Sequence, residues 1–315
     1  VASYNVLNLD ARDPQQHFDR LARTIVKDLG APDVLGLQEI QDDDGAVDDG
    51  LVTAAGTLGR LIDAVVAAGG PRYEFRQVDP VDNADGGQPG GNIRVAYLFN
   101  PARVSFVDRG AAAALDATEV VEGADGPHLT LSPGRISPTA PAFAGDETRG
   151  WEGNRKSLAA EMVFEGHRIF LVDNHLKSKR GDDRLYGERQ PPVQGTEVQR
   201  AEQAKVIAAF VRQILVVDPE AAVIVLGDLN EHDFRSPVHV LEGAGLENLV
   251  ARVPLEDRYT YNYIGNSQIL DNFLVSPSLA RGAEIDLVHA NADYPASEAA
   301  SDHDPVLARL ALGAR

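Results

Sequence analysis

The chain predicts an α/β (α+β) fold in which two stacked, mostly antiparallel β-sheets are covered by helices. Three observations carry that expectation. Short apolar runs of strand length alternate with stretches of helical periodicity along all 315 residues. Several of the strand runs are separated by turn signals too short for a helix, which points to hairpin pairing. With so many strands, and 43% of the residues hydrophobic, two sheets packed face to face give enough buried surface for one large core.

The elements follow in order. Val1-Leu7 reads as a strand. Gln16-Leu29 places Phe18, Leu21, Ala22, Ile25, Val26 and Leu29 on one helical face. Pro32 restarts the chain, and Asp33-Gln38 (DVLGLQ) is a short buried-strand run. Val52-Ala68 is Ala/Leu-rich and helical. Tyr73-Val78, Ile93-Phe99 and Val104-Val107 read as strands, with the loop Asn83-Asn92 (NADGGQPGGN) between the first two. Asp108-Asn154 is rich in Ala, Gly and Pro and is expected to be irregular. Lys156-Phe164 and Arg168-Asn174 flank Glu165-Gly166-His167, a hairpin signal. Thr196-Val217 is the longest helix, Ala221-Leu226 a buried strand and Ser236-Ala244 a helix. Ile269-Val275 and Val306-Leu312 complete the strands. No repeat of fixed period and no interdomain linker is present, so residues 1–315 are expected to form one domain.

Composition excludes several classes. There is no cysteine, which removes disulfides, thiol catalysis and Cys-ligated zinc. No apolar run approaches the roughly 20 residues a membrane span needs. Neither GxGxxG nor GxxxxGK[ST] occurs. The chain opens on Val1 and its only methionine is Met162, so a piece of a longer or processed chain is expected. A formal net charge of −19 repels nucleic acid at long range, so polyanion binding must rest on a local basic patch or on metal ions.

The chemistry-bearing residues stand where apolar runs stop. Asn5 lies within SYNVLNL, Glu39 ends DVLGLQE, and Asn174 and His175 end RIFLVDNH. Asp228 and Asn230 follow AAVIVLG, Asp271 opens DNFLVS, and Asp302 and His303 precede the last strand. Polar side chains at strand ends can converge on one sheet edge. Each has an ordinary explanation alone: a capping amide, a surfacing carboxylate, a Gly-Asp turn, a buried histidine. Together they form a consistent set. Asn5, Glu39 and Asp302 offer hard oxygen donors for Mg²⁺ or Mn²⁺. Asp228 can orient or deprotonate an attacking water, His175 and His303 can donate to phosphoryl oxygens, and Asp271 can fix a histidine tautomer. The acidic run Asp42-Asp43-Asp44-Gly45 with Asp48-Asp49 lacks EF-hand spacing and reads mainly as solvated surface, with Ca²⁺ the lesser alternative. Lys177, Lys179 and Arg180 follow His175 and suit a phosphate backbone. Tyr259, Tyr261 and Tyr263 alternate as a half-exposed strand does, and packing explains them as well as base stacking does.

YNVLN, DVLGLQEI, RVAYLFNP, NHLKSK, VIVLGDLN, ILDNFLVS and SDHDPV, in that order, resemble the endonuclease/exonuclease/phosphatase, pancreatic-deoxyribonuclease-like, superfamily over nearly the whole chain. HLKSKRGDDRLYGERQPP followed by EVQR, with YTYNYIGNSQILDNFLVS, is similar to bacterial, often secreted, nuclease-like members. The resemblance implies a four-layer sandwich and a secreted or cell-surface bacterial enzyme, expected to be a monomer. By position it implies metal-site roles for Asn5 and Glu39 and catalytic roles for His175, Asp228, Asn230 and Asp271. Asp302 and His303 match the closing Asp-His pair, and Arg94 and Arg155 fall where relatives carry phosphate-binding arginines. Asn272 departs from the aromatic or histidine often found after the acid, and no acid supporting His175 is evident. The expected activity is metal-dependent hydrolysis of phosphodiesters in DNA or RNA by water. The alternatives are a small or lipid phosphoester substrate, or a binding domain that kept the fold without the chemistry.

Overall fold

The computed structural model describes residues 1–139 and 150–312. In chain order the strands are β1 (Ala2–Leu9), β2 (Val34–Ile40), β3 (Glu74–Arg76), β4 (Arg94–Phe99), β5 (Val104–Phe106), β6 (Val120–Gly123), β7 (Gly126–Leu129), β8 (Gly134–Arg135) and β9 (Leu158–Phe164). They continue as β10 (His167–His175), β11 (Ala222–Asp228), β12 (Glu247–Asn248), β13 (Tyr261–Tyr263), β14 (Asn266–Gln268), β15 (Asp271–Val275), β16 (Glu284–Leu287) and β17 (Val306–Arg309). The main helices are α1 (Gln15–Arg23), extended by one π-turn at Thr24–Asp28, then α2 (Ala55–Ala67), α3 (Glu197–Val217) and α4 (Ser236–Glu242).

One sheet runs β16-β17-β1-β2-β4-β3, and the other runs β12-β15-β11-β10-β9-β5 with β8 also on β9. Each carries one parallel pair at its centre, β1 with β2 and β10 with β11, and the remaining pairings are antiparallel. This differs from pairing by hairpins alone. The two parallel pairs need crossovers, which α1 and α3 supply.

Strand alternation divides the core into three layers. Tyr4, Leu35 and Leu37 meet Phe18, Leu21, Ile25 and Leu58 on the first helical face. Phe170, Val172, Val223 and Val225 meet Ile207, Phe210, Val211 and Ile214 of α3 on the opposite face. Tyr97, Leu158, Met162, Leu171, Leu226 and Phe273 fill the space between the sheets. The result is the expected four-layer sandwich.

The inter-sheet layer is also bridged by polar groups. Gln38 Nε2 donates to Asp173 Oδ1 at 2.6 Å across the sheets, and Ser3 Oγ donates to Gln38 Oε1 at 3.3 Å. Burial holds the Asp173 carboxyl well above the usual carboxylate range, against the hydrogen bond from Gln38. Gly36 permits the close approach, since a Cβ there would lie 2.4 Å from Leu226 Cδ1 and 3.0 Å from the Asp173 carboxyl.

Three expectations need adjustment. Asp108-Asn154 is less irregular than its composition suggests: it holds the β6–β7 hairpin and β8, and its residues 140–149 lie outside the described residues. β12 and β16 are short and carry no apolar run long enough to announce a strand. The Tyr-rich segment is the small β13–β14 hairpin, outside both main sheets.

Replacing Gly36 by Val should overpack the inter-sheet layer and cost about 1–3 kcal/mol in urea unfolding; an unchanged midpoint would refute the close approach. Asp173→Asn tests the neutral acid. A raised folded-state value means that wild-type stability is lost as the pH climbs above the unfolded carboxylate value of about 3.9. The stability of Asp173→Asn relative to wild type should therefore rise from about pH 4 upward and level off once Asp173 ionises in the folded state. A pH-independent difference would contradict the assignment.

Candidate active site

Strand register assembles the centre. His175 at the end of β10 pairs with Asp228 at the end of β11, and Asp228 pairs with Asp271 at the start of β15. Three neighbouring strands thus present His175, Asp228 and Asp271 in one row. The GDLN signature has a backbone reason. Gly227 has φ +126°, and a Cβ there would stand 2.1 Å from Asn174 O, so only glycine lets β11 pass. Asn230 takes a left-handed φ of +49° three residues later, which turns the chain sharply out of the strand.

The other sheet contributes through irregularity. The β1–β2 register shifts between Asn5 and Leu9, and the β2–β4 register shifts between Leu37 and Ile40. Leu7, Asn8 and Glu39 all have left-handed φ values in this bulged region. A bulge re-aims side chains at a strand end, and here it brings Glu39 to the same cleft as His175 and Asp228. Asn8 N–H donates to Glu39 Oε2 at 3.0 Å and steadies that carboxylate.

Asp228 is the hub. Its Oδ2 receives Asn5 Nδ2 at 3.2 Å and Asn230 Nδ2 at 3.3 Å, with His175 Nε2 at 3.4 Å and His303 Nε2 at 4.0 Å. Its Oδ1 accepts the Asn230 N–H at 2.8 Å. Burial raises the Asp228 carboxyl to about 7, with the positive charge of His303 acting in the opposite sense. His303 Nδ1–H donates to Asp271 Oδ2 at 2.7 Å, an oxygen that also accepts from Thr260 Oγ at 2.7 Å. Burial opposes a charge on His303, but Asp271 and Asp228 outweigh it and hold the imidazole well above its ordinary value. His175 moves the other way. Burial first, then Arg155 and His303, drive it well below its ordinary value, so it stays neutral. Its buried Nδ1 has no partner among the described residues, in keeping with the missing supporting acid. One histidine is held as a cation and the other as a neutral imidazole within one carboxylate's reach.

The cleft over this centre encloses about 750 Å³. Glu39, His175, Asp228, Asn230, Asp302 and His303 line its floor; the 178–188 loop and the β13–β14 hairpin line its sides. Asp302 is exposed and makes no hydrogen bond or ion pair among the described residues, and Glu39 Oε1 stands 3.8 Å from His175 Nε2. Two carboxylates open to one cleft are hard oxygen donors, and this set fits a divalent cation. Among the described residues, groups of three ligand atoms within 4.8 Å of one another occur at Glu39/His175/Asp228 and at Asp228/Asp271/His303. Asn5 is brought to the site, but as a donor to Asp228, its Oδ1 being taken by the Leu7 N–H at 3.1 Å.

The acidic run after Glu39 is used by the backbone instead. Asp42 Oδ1 accepts the N–H groups of Asp44 and Gly45, its Oδ2 accepts from Asn92, and Asp43 caps the start of α2 at Thr57 N–H.

The expected phosphate contacts fare unevenly. Arg94 is a correction: its guanidinium is buried away from the cleft and spent on Asn92 O, Val52 O, Gln77 Oε1 and Asp79 Oδ1, where it pins the 77–92 loop. Arg155 is buried beneath the floor, with Nη2 donating to Leu176 O at 2.8 Å; burial lowers its value and Glu39 and Asp228 act in the opposite sense. Lys177 lies beside the cleft rather than in its lining, its N–H donating to Gln203 Oε1. Lys179 and Arg180 are the basic residues of that motif that line the cleft.

Five contributors were not legible as site residues. Tyr261 packs on His303 with ring centroids 4.7 Å apart, and Thr260 anchors Asp271. Ser301 Oγ donates to Asn5 O at 2.7 Å, tying the SDHD turn to β1. Glu231 receives Arg200 and Lys179, while Asn272, the departure from the family pattern, holds Glu231 O at 3.0 Å and so fixes the turn after Asn230. Only the tyrosine alternation and the departure at Asn272 signalled any of them.

Comparison with known proteins agrees with this geometry. The model of the Endonuclease/Exonuclease/phosphatase family matches residues 2–303. No curated protein sequence matches the chain. Among solved structures, the human Nocturnin catalytic domain with bound sulfate is similar at 16% identity and TM-score 0.56, covering 99% of this chain and 94% of that one. A mannosyl-6-phosphatase of Bacteroides thetaiotaomicron is similar at 16% identity and TM-score 0.55, covering 99% and 98%. D. rerio TDP2 complexed with a single-strand DNA product is similar at 18% identity and TM-score 0.51, covering 97% and 96%. These likenesses show the fold, and the match over nearly all its length shows that the chain belongs to the Endonuclease/Exonuclease/phosphatase family of metal-dependent phosphoesterases.

Proposed function

We propose that the enzyme is a nuclease, hydrolysing phosphodiesters of DNA or RNA by attack of water. The observation that carries this reading is the wall of the cleft. On a chain of net charge −19, Arg180 and Arg184 stand on the 178–188 loop with no ion pair among the described residues, while Lys179 is held by Glu231; Tyr186 is 81% exposed on the same loop and Tyr263 45% exposed on the facing hairpin. Guanidinium groups that meet phosphates and rings that stack on bases are what a single strand requires. The structure of D. rerio TDP2 with a single-strand DNA product supports the reading by fold. The mannosyl-6-phosphatase supports a second reading, a small phosphoester substrate. The motif resemblance of the HLKSKRGDDRLYGERQPP segment to secreted bacterial nuclease-like members supports a secreted or cell-surface bacterial enzyme, and we expect it to act as a monomer.

The residues divide the work as follows. Glu39 and Asp302 would hold the divalent ion, for which we favour Mg²⁺ or Mn²⁺ over Ca²⁺ on the hardness of the donors. When bound, it supplies positive charge to the phosphoryl oxygens and the leaving oxygen. Asp228, ionised, takes the proton of the attacking water. Asn5 and Asn230 hold its carboxylate in place. His303, kept cationic by Asp271, offers Nε2–H to a phosphoryl oxygen, and neutral His175 offers a second donor without adding charge.

EDTA should abolish hydrolysis of plasmid, RNA and bis-p-nitrophenyl phosphate, and Asp228→Asn should lower kcat by about 10²–10⁴-fold. Retention of activity in both would sink the mechanism. The rate should fall as the pH drops through about 7, because Asp228 must be ionised and its carboxyl is raised to about 7. Asp271→Asn removes the charge that holds His303 protonated, so the alkaline limb of kcat/KM should move to lower pH; an unmoved limb would remove His303 from the acid role. For a nucleic acid, log(kcat/KM) should decline steeply with log salt, by about 0.7 per phosphate contacted on a single strand. A flat salt dependence would favour the small-substrate reading.

A further inference from the structure

A second cleft of about 430 Å³ opens on the far side of the catalytic centre, between α1, the 291–301 segment and the β13–β14 hairpin. Asp302 lines both clefts and stands at their junction. The hairpin has a face toward each. Tyr261 and Tyr263 line the catalytic cleft, and Asn262 between them lines the second one, as strand alternation dictates. The walls are held by specific bonds. His17 Nε2 meets Ala300 O at 2.9 Å, Arg20 Nη1 donates to Ser297 O at 2.8 Å, and Asn262 Nδ2 donates to Ala292 O at 2.8 Å. Its lining combines the apolar side chains of Pro14, Ala296 and Ala299 with the half-exposed ring of Tyr294 and the guanidinium of Arg20, whose Nη2 has no partner among the described residues.

We propose that this second cleft is a substrate subsite that binds a nucleotide of the same strand on the opposite side of the scissile phosphate, so that the enzyme cuts within a chain rather than from an end. The inference rests on the nuclease reading above. Its size falls within the range of sites that bind small ligands. Tyr294 offers a stacking face and Arg20 a phosphate contact, the two elements single-strand binding uses. An enzyme that only trims ends needs one blind cleft, with the terminal nucleotide stopped at the catalytic centre. Here a second cleft adjoins the first at Asp302, and a strand crossing from one to the other would have its reacting phosphate over Glu39, Asp228 and His303 with nucleotides in either cleft. No terminus is required for that placement.

The test uses covalently closed circular single strands of DNA and of RNA beside linear strands of the same sequence, with Mg²⁺ or Mn²⁺. Circles should be opened at rates within about threefold of the first cut in the linear strand. Arg20→Ala and Tyr294→Ala should each lower kcat/KM for a 12-nucleotide strand by about tenfold or more relative to bis-p-nitrophenyl phosphate, which spans the central site alone. Thermal melting and circular dichroism confirm that both variants fold. Linear strands degraded while circles resist would overturn the through-path and leave the nuclease reading standing. Variants that leave the ratio unchanged would likewise overturn the subsite. Hydrolysis of the small diester with no cleavage of any strand would overturn the nuclease reading and this inference together.

Discussion

The arrangement depends on how closely the two sheets approach at Gly36. Without a side chain there, Leu226 and the Asp173 carboxyl fill the space, and Gln38 reaches across to Asp173. Those residues sit next to the chemistry. Gln38 precedes Glu39, Asp173 lies two residues before His175, and Ser3, which donates to Gln38, lies two residues before Asn5. A polar bridge in a layer otherwise filled by Leu, Met and Phe has few satisfactory alternatives, because a misplaced buried donor or acceptor loses its partner at a cost of about 1–3 kcal/mol. It therefore fixes the offset between the sheets, and with it the separation of Glu39 on one sheet from Asp228 on the other.

Asp228 is the point at which that offset becomes chemistry. It belongs to β11, yet its Oδ2 is met by Asn5 from the other sheet, by His175 from the neighbouring strand and by His303 from the closing turn. Burial alone would favour the protonated acid. The cationic His303 and the Asn230 backbone N–H pull in the opposite direction, Asp271 and Glu39 act with burial, and the balance leaves it at about 7, where a group can both lose and gain a proton readily. The opposite states of the two histidines follow from the same geometry. His303 has Asp271 behind it and His175 has no acid, so similar burial gives a cation in one case and a neutral ring in the other.

Around this centre, the sides of the cleft are formed by segments that belong to neither main sheet. The 178–188 loop is anchored by the buried Arg200, which joins Asp182 at 3.2 Å to Glu231 at 2.9 Å. The β13–β14 hairpin is anchored by Tyr261 on His303. Both segments are tied to the catalytic turns at their bases while their tips, at Tyr186 and Tyr263, stay exposed. Catalytic geometry and substrate preference are thereby separable in this fold.

By itself the sequence determined the main strands and helices and the residues that gather at one cleft. Apolar runs ending in Asn, Glu, His or Asp are local signals, and every one of Glu39, His175, Asp228, Asn230, Asp302 and His303 lines the one cleft. Only the tertiary structure decided the rest, because it depends on contacts between residues distant along the chain. The central parallel pairs arise from crossovers that no local turn signal announces. The bulged backbone at Leu7, Asn8 and Glu39 is set by register between strands. Arg94 was misplaced since an arginine beside a strand looks the same from sequence whether it meets a substrate phosphate or, as here, buried carbonyls and Asp79. Asn5 shows the same limit: its position was legible, but not that its amide would turn to Asp228, 223 residues away.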